Sequence, residues 1–197
     1  LGKPSAKAKA KRREILSRVL DKLANVDFDS MTIKMICDAA DISYGSFYHY
    51  FSEKSDLIFE LFSQIDDHIV ANIIPKLRSE DELTNYVDFC HDISEYMVSI
   101  GPRLISSLYP NLDAYYKKSG TDELARPFFS ELRKILAKGQ MKGQISKQID
   151  EEQIAYMTVA ILRGFCFDWT RHNGRYDLVD YCVQFARLFI ESLRSRA

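Results

Sequence analysis

The chain has 197 residues, 46% of them hydrophobic, enough apolar material for one large domain or a small one joined to a larger one. Its formal net charge is −1, which excludes a polycation that coats nucleic acid along its whole surface. No apolar run approaches the roughly 20 residues a membrane-spanning helix needs, and no charged start leads into an apolar stretch with a small-residue cleavage site, so a cytoplasmic chain with no membrane partner is expected.

Chemistry-bearing motifs are absent. There is no H-E-x-x-H, G-x-S-x-G or G-x-x-x-x-G-K-[ST], and His49, His68, His91 and His172 are scattered, so no catalytic residue and no enzymatic activity are expected. Cys37, Cys90, Cys166 and Cys182 lie far apart in apolar surroundings without a C-x-x-C pair, which reads as buried free thiols and no metal site or cofactor.

Nearly every segment carries the 3.6-residue period, so the fold class is all-α. Residues 1–13 contain Lys3, Lys7, Lys9, Lys11, Arg12 and Arg13 and no acid, a basic arm ahead of the first helix. That helix, about 14 residues long, puts Ile15, Leu16, Val19, Leu20 and Leu23 on one face and ends near Asn25. Thr32 then caps a short helix whose apolar face is Ile33, Ile36, Cys37 and Ala40. Asp41 ends it, because Asp tolerates the left-handed conformation of a tight turn, and Ser43 caps the next helix. Two short helices joined by about three residues have the spacing of a helix-turn-helix.

On a helical wheel Phe47, Tyr50 and Phe51 share the inner face, while Gly45, Ser46, Tyr48 and His49 lie opposite with Tyr44 at the border. A glycine there costs about 1 kcal/mol relative to Ala, which makes sense if another backbone must come close. Polar-tipped side chains beside it suit phosphates and base edges in a DNA major groove. Ser52 is read as the cap of a helix running to Pro75, with Glu53 and Asp56 favouring its dipole. Lys54 opposes that dipole and is read as a phosphate contact, against the alternative of a solvated charge.

The segment TIKMICDAADISYGSFYHYFSEKSDLIFELF, residues 32–62, resembles the helix-turn-helix signature of the TetR family of bacterial transcriptional regulators. Asp41 stands where that family usually has Gly, and ANVDFDS replaces its usual Gly-containing turn. The resemblance implies phosphate contacts at Thr32, Ser43, Tyr48 and Lys54, with Tyr50 as an addition, and base reading by Tyr44, Gly45, Ser46 and His49.

Residues 54–197 read as a bundle with helices near 54–74, 81–99, 102–109, 123–139, 150–171 and 176–195, broken at Pro75, Gly101-Pro102, Pro110-Asn111, Gly139 to Gly143 and Asn173-Gly174. The expected domains are 1–53, the helix-turn-helix with its arm, and 54–197, a bundle to which the resemblance assigns ligand binding and dimerisation. In the last helix Leu178, Cys182, Phe185 and Phe189 form one stripe and Val179, Val183, Ala186 and Ile190 another, which implies two partners. The resemblance implies that one of them is a second subunit, giving a homodimer through the last two helices that reads a near-palindromic double-stranded DNA operator. It also implies a cavity for a small hydrophobic or aromatic effector, with Phe89, Tyr96, Met97, Tyr109, Phe128, Phe165 and Trp169 as its wall and no cluster of buried charges. The expected function is a repressor released by that effector. The competing reading is a ligand-binding or interaction bundle whose helix-turn-helix no longer binds DNA, which predicts weak affinity without steep salt dependence.

Overall fold

A computed structural model of the chain describes residues 5–23 and 26–195. Lys3 of the basic arm and the expected helix end at Asn25 lie outside them.

The first helix, α1 (Ala6–Leu23), starts earlier than expected and absorbs Lys7, Lys9, Lys11, Arg12 and Arg13, so this basic stretch is a helix surface and not an arm preceding one. It buries Ile15, Leu16 and Val19 against α2 (Ile33–Ala40) and α3 (Tyr44–Tyr50), whose Ile36, Cys37, Ala40 and Phe47 complete a small core. The caps are those the sequence announces. Thr32 accepts from Met35 N, Ser43 accepts from Ser46 N, and Asp41 closes α2 in the left-handed region at φ 56°, ψ 53°.

The next helix, α4 (Asp56–His68), begins three residues later than a cap at Ser52 would place it. Ser52 is not its cap: the Asp56 carboxylate accepts from Ser52 N at 2.7 Å and Glu53 N at 3.4 Å, folding residues 52–55 back as a turn. The helix continues as one π turn, Ile69–Ile73, and a 3-10 turn through Pro75. Ile58, Leu61, Phe62 and Ile65 on α4 join the small core to a larger one.

That larger core is built from α5 (Glu82–Ile100), α6 (Pro102–Ser119), α7 (Pro127–Met141), α8 (Glu151–Arg171) and α9 (Leu178–Ser192). α5 is central, packed on α7 and α9, while α6 bridges α4 and α8. Pro110-Asn111, expected as a break, sits inside α6. Proline removes the donor that the Ser106 carbonyl would have used, and Pro110 lines a polar cleft together with Ser106, Asn111 and Asp27. The buried Leu104, Ile105, Leu108 and Tyr115 on the other face keep the helix whole across it.

α9 also departs from its expected stripes. The inward row is Leu178, Cys182, Ala186 and Ile190, which draws from both; Phe185 and Phe189 are half-buried, while Tyr181 and Leu188 are exposed. Among the described residues there is no strand, only one isolated bridge between Ile145 and Arg194, so the all-α architecture stands: an N-terminal helix-turn-helix followed by a helical bundle.

Candidate nucleic-acid interface and effector cavity

The outer face of α3 is what the wheel anticipates. Tyr44 and Tyr48 are 51% and 56% exposed, Gly45 and His49 are exposed, and Ser46 is partly so, while Phe47 beneath them is fully buried and Tyr50 only partly. An added Cβ at Gly45 would meet nothing closer than Ser43 Oγ at 3.9 Å. Nothing within the chain therefore requires this glycine, and its helix cost is left to be explained by a surface that approaches from outside. Thr32 and Ser43 stand at the N-termini of α2 and α3 with hydroxyl donors at the same surface. The face is neutral, so long-range attraction to DNA must come from flanking cations such as Lys7 and Lys9, exposed on the first turns of α1.

Several basic groups that look available in the sequence are committed to holding this module together. Lys54 Nζ donates to Phe28 O at 2.9 Å, Asp29 O at 3.1 Å and Met31 O at 3.1 Å, and lies 4.8 Å from the Phe28 ring centre. Its three protons are thereby spent on the 3-10 turn Phe28–Ser30, and the phosphate reading of Lys54 gives way to a structural one. Arg12 donates to Tyr50 O at 2.9 Å and to Glu60 Oε2 at 2.8 Å, and Arg18 donates to Ala40 O at 2.8 Å. These two arginines cover the negative C-terminal ends of α3 and α2, fixing the recognition helix on α1. Sequence reasoning missed these roles because the carbonyls they satisfy are 22 and 38 residues away.

Behind the module lies a largely apolar cavity of about 80 Å³. Phe62 and Ile65 of α4 form one wall, Ile93, Ser94 and Met97 of α5 another, and Ile105, Leu108, Tyr109 and Leu112 of α6 a third; Arg126, Phe128, Leu162, Arg163, Cys166 and Cys182 close it. Of the expected wall residues Met97, Tyr109 and Phe128 are there. Phe89 is fully buried behind Phe128, their ring centres 5.8 Å apart, and Tyr96 is stacked on His68 at 3.6 Å. Phe165 packs on Phe185, and Trp169 is buried with its indole N–H donated to Tyr176 O, so these four sit elsewhere in the core. Burial pushes the Cys166 and Cys182 thiols up to about 11 and 12, so both line the cavity as uncharged, unreactive groups.

Where no cluster of buried charges is expected, the cavity wall carries one buried cation with its partner. Arg126, 7% exposed, forms a two-point ion pair with Asp66 of α4, Nε to Oδ2 at 3.1 Å and Nη2 to Oδ1 at 3.0 Å. Phe62, Tyr115 and Tyr116 surround its guanidinium, with ring centres 5.2, 5.2 and 5.9 Å away. Two cations of α6 make three further pairs: Lys118 with Asp56 at the start of α4 and with Glu53 just before it, and Arg103 with Asp27. The cavity wall α6 thus holds α4 and the turn before α2 at its two ends. A cluster of His91, Asp92 and Glu95 could face a cation, but Asp92 is already bound by Lys76 at 2.8 Å and the group is partly exposed. Among the described residues no helix is long and apolar enough to cross a membrane.

Residues 16–61 match the family of bacterial regulatory proteins, tetR family. The chain is 22% identical over 154 residues to an uncharacterised helix-turn-helix transcriptional regulator, YvdT, of Bacillus subtilis, covering 78% of this chain and 79% of that one. It is 20% identical over 192 residues to the fatty acid metabolism regulator protein of the same organism, covering 94% and 97%. Its fold matches the transcriptional regulator FadR from Bacillus subtilis, solved in complex with stearoyl-CoA, with a TM-score of 0.73 at 15% identity over 92% of this chain and 98% of that one. Three N-terminal helices that present α3, backed by a helical bundle around a cavity, are therefore an architecture shared with these regulators, and residues 16–61 carry the likeness to the tetR family of bacterial regulatory proteins.

Proposed function

We propose that the chain is a dimeric, sequence-specific DNA-binding transcriptional regulator, a repressor that leaves a near-palindromic operator when a small hydrophobic or aromatic ligand enters the cavity. The observation that carries the reading is the outer face of α3, where two exposed tyrosines, Ser46 and His49 flank a glycine that nothing inside the chain explains. Tyr44, Gly45, Ser46 and His49 are assigned to base edges, and Thr32, Ser43 and Tyr48 to phosphates. Residues 1–53 act as the reader and 54–197 as the sensor, with α4 between them, and the cytoplasm is the compartment this implies.

Support for a dimer comes from α8 and α9. Met157 and Ile161 on α8 and Tyr181 and Leu188 on α9 are exposed apolar side chains, and a Cβ at Gly164 would find open space. A glycine in the middle of a helix with room beside it fits close approach by a helix of a second copy, and two-fold pairing would set two α3 helices on successive major grooves.

Ligand coupling follows from volume. Small-molecule sites usually offer ~300–1,000 Å³, far above the 80 Å³ present. A ligand must therefore push the walls apart, and α6, which carries four lining residues, also holds Asp56 through Lys118 and Asp27 through Arg103. Binding that favours the expanded form shifts the population toward misplaced α3 helices. The fatty acid regulator and the stearoyl-CoA complex among the relatives support a chain-like apolar ligand.

The test is a selection of bound fragments from random double-stranded DNA by the purified protein at low and high salt. Enrichment of a near-palindrome, lost at high salt, is expected. No enrichment at either salt would replace the reading with a bundle that senses a ligand without reading DNA.

A further inference from the structure

Resting on the cavity reading above, we propose that the effector is an amphipathic carboxylic acid whose carboxylate takes the place of Asp66 on Arg126.

Arg126 enters the cavity from the residue just before α7, its guanidinium plane among three aromatic rings and its Nη2 also donating to Phe62 O at 3.3 Å. Those rings and that carbonyl keep the cation in place whichever carboxylate it meets. Asp66 is differently situated. Its side chain is 19% exposed against 8% for Arg126, and it meets the guanidinium from outside the residues that line the cavity. Burial pushes its carboxyl above the ordinary value even with Arg126 beside it, so the ionised form is held there under stress. An incoming carboxylate offers the same two oxygens in the same plane, while Asp66 can turn outward to water. The second guanidinium, Arg163, pairs with Glu123 at about one-third exposure, so both cations at the wall select for an acid over an amine. The remaining wall, Ile93, Met97, Ile105, Leu108 and Leu162 among others, suits an apolar tail.

The exchange has a route to the DNA-binding face. Asp67, the next residue of α4, is ion-paired with Arg13 of α1, and the helix gives way to its π turn at Ile69. Loss of the Asp66 link unfastens α4 from α7 beside its attachment to α1, in a segment whose hydrogen-bond register has already changed.

The experiment is calorimetric titration of the full chain with decanoate and, separately, decan-1-ol, both below micelle formation, on the wild type, Asp66→Asn and Arg126→Met. Decanoate should bind the wild type about tenfold or more tighter than the alcohol. Asp66→Asn, which removes the competing charge yet keeps an oxygen for Arg126, should tighten decanoate about tenfold and leave decan-1-ol unchanged; a merely structural Asp66 would not give tighter binding. Arg126→Met should erase the acid preference, and if that variant fails to fold, Asp66→Asn decides alone. Equal binding of acid and alcohol to the wild type, or no gain in Asp66→Asn, overturns the inference and leaves the cavity reading standing. Failure of both probes to bind removes the cavity reading and the inference together.

Discussion

Replacing Lys54 by Met separates two roles that the sequence leaves entangled. If the ammonium serves the fold, its loss leaves the carbonyls of Phe28, Asp29 and Met31 without their donor, at sites now 2.9, 3.1 and 3.1 Å from Nζ. Hydrogen bonds from a charged donor contribute about 1.5–3 kcal/mol each when buried. Three bonds to one partly buried ammonium do not add, and Met retains the apolar contact with Phe28, so the net loss should be about 2 kcal/mol. For a chain of this size that corresponds to a fall in melting temperature of roughly 4–8 °C. Thermal melting by circular dichroism without DNA reads the first quantity, and the salt dependence of binding to random double-stranded DNA reads the second. An unchanged melt together with a salt slope reduced by about one would refute the structural role and return Lys54 to the phosphates.

Gly45→Ala should stabilise α3 by about 0.5–1 kcal/mol, since the Cβ has room, and yet weaken DNA binding several-fold; unchanged affinity in a binding titration would remove the close-approach argument. Gly164→Leu should shift the protein toward monomer in sedimentation equilibrium while its helix content holds, because the Cβ position is open within the chain. Burial first and Lys76 second hold the His68 imidazole below its ordinary 6.5, with Asp92 opposing. The unfolded chain therefore takes up that proton more readily, and stability present above 6.5 is lost as pH falls through 6.5 toward the folded-state value. His68→Phe, which keeps a ring against Tyr96, should gain stability relative to the wild type between about pH 8 and about pH 5 in denaturant melts; parallel pH profiles would count against it.

What the sequence determined by itself is local. The caps at Thr32 and Ser43, the left-handed Asp41 and the division of α3 into a buried Phe47 side and a polar outer side depend on neighbours within four residues, which the wheel captures. The helical class and most helix ends follow from the same short-range periodicity. Where long-range packing competes, the local signal loses: Pro110 stays inside α6 because a buried face spans it, and α9 turns Ala186 and Ile190 inward alongside Cys182 because α5 decides which side is covered. Charges were the least legible feature. A lysine or arginine announces its sign in the sequence but not its partner, and the carboxylate and carbonyl partners described for Lys54, Arg12 and Arg126 lie 23 to 64 residues away. The tertiary structure alone turned those cations into the fastening of a reading helix and the charged edge of a cavity, because a side chain's electrostatic role is set by what folding brings within about 3 Å of it.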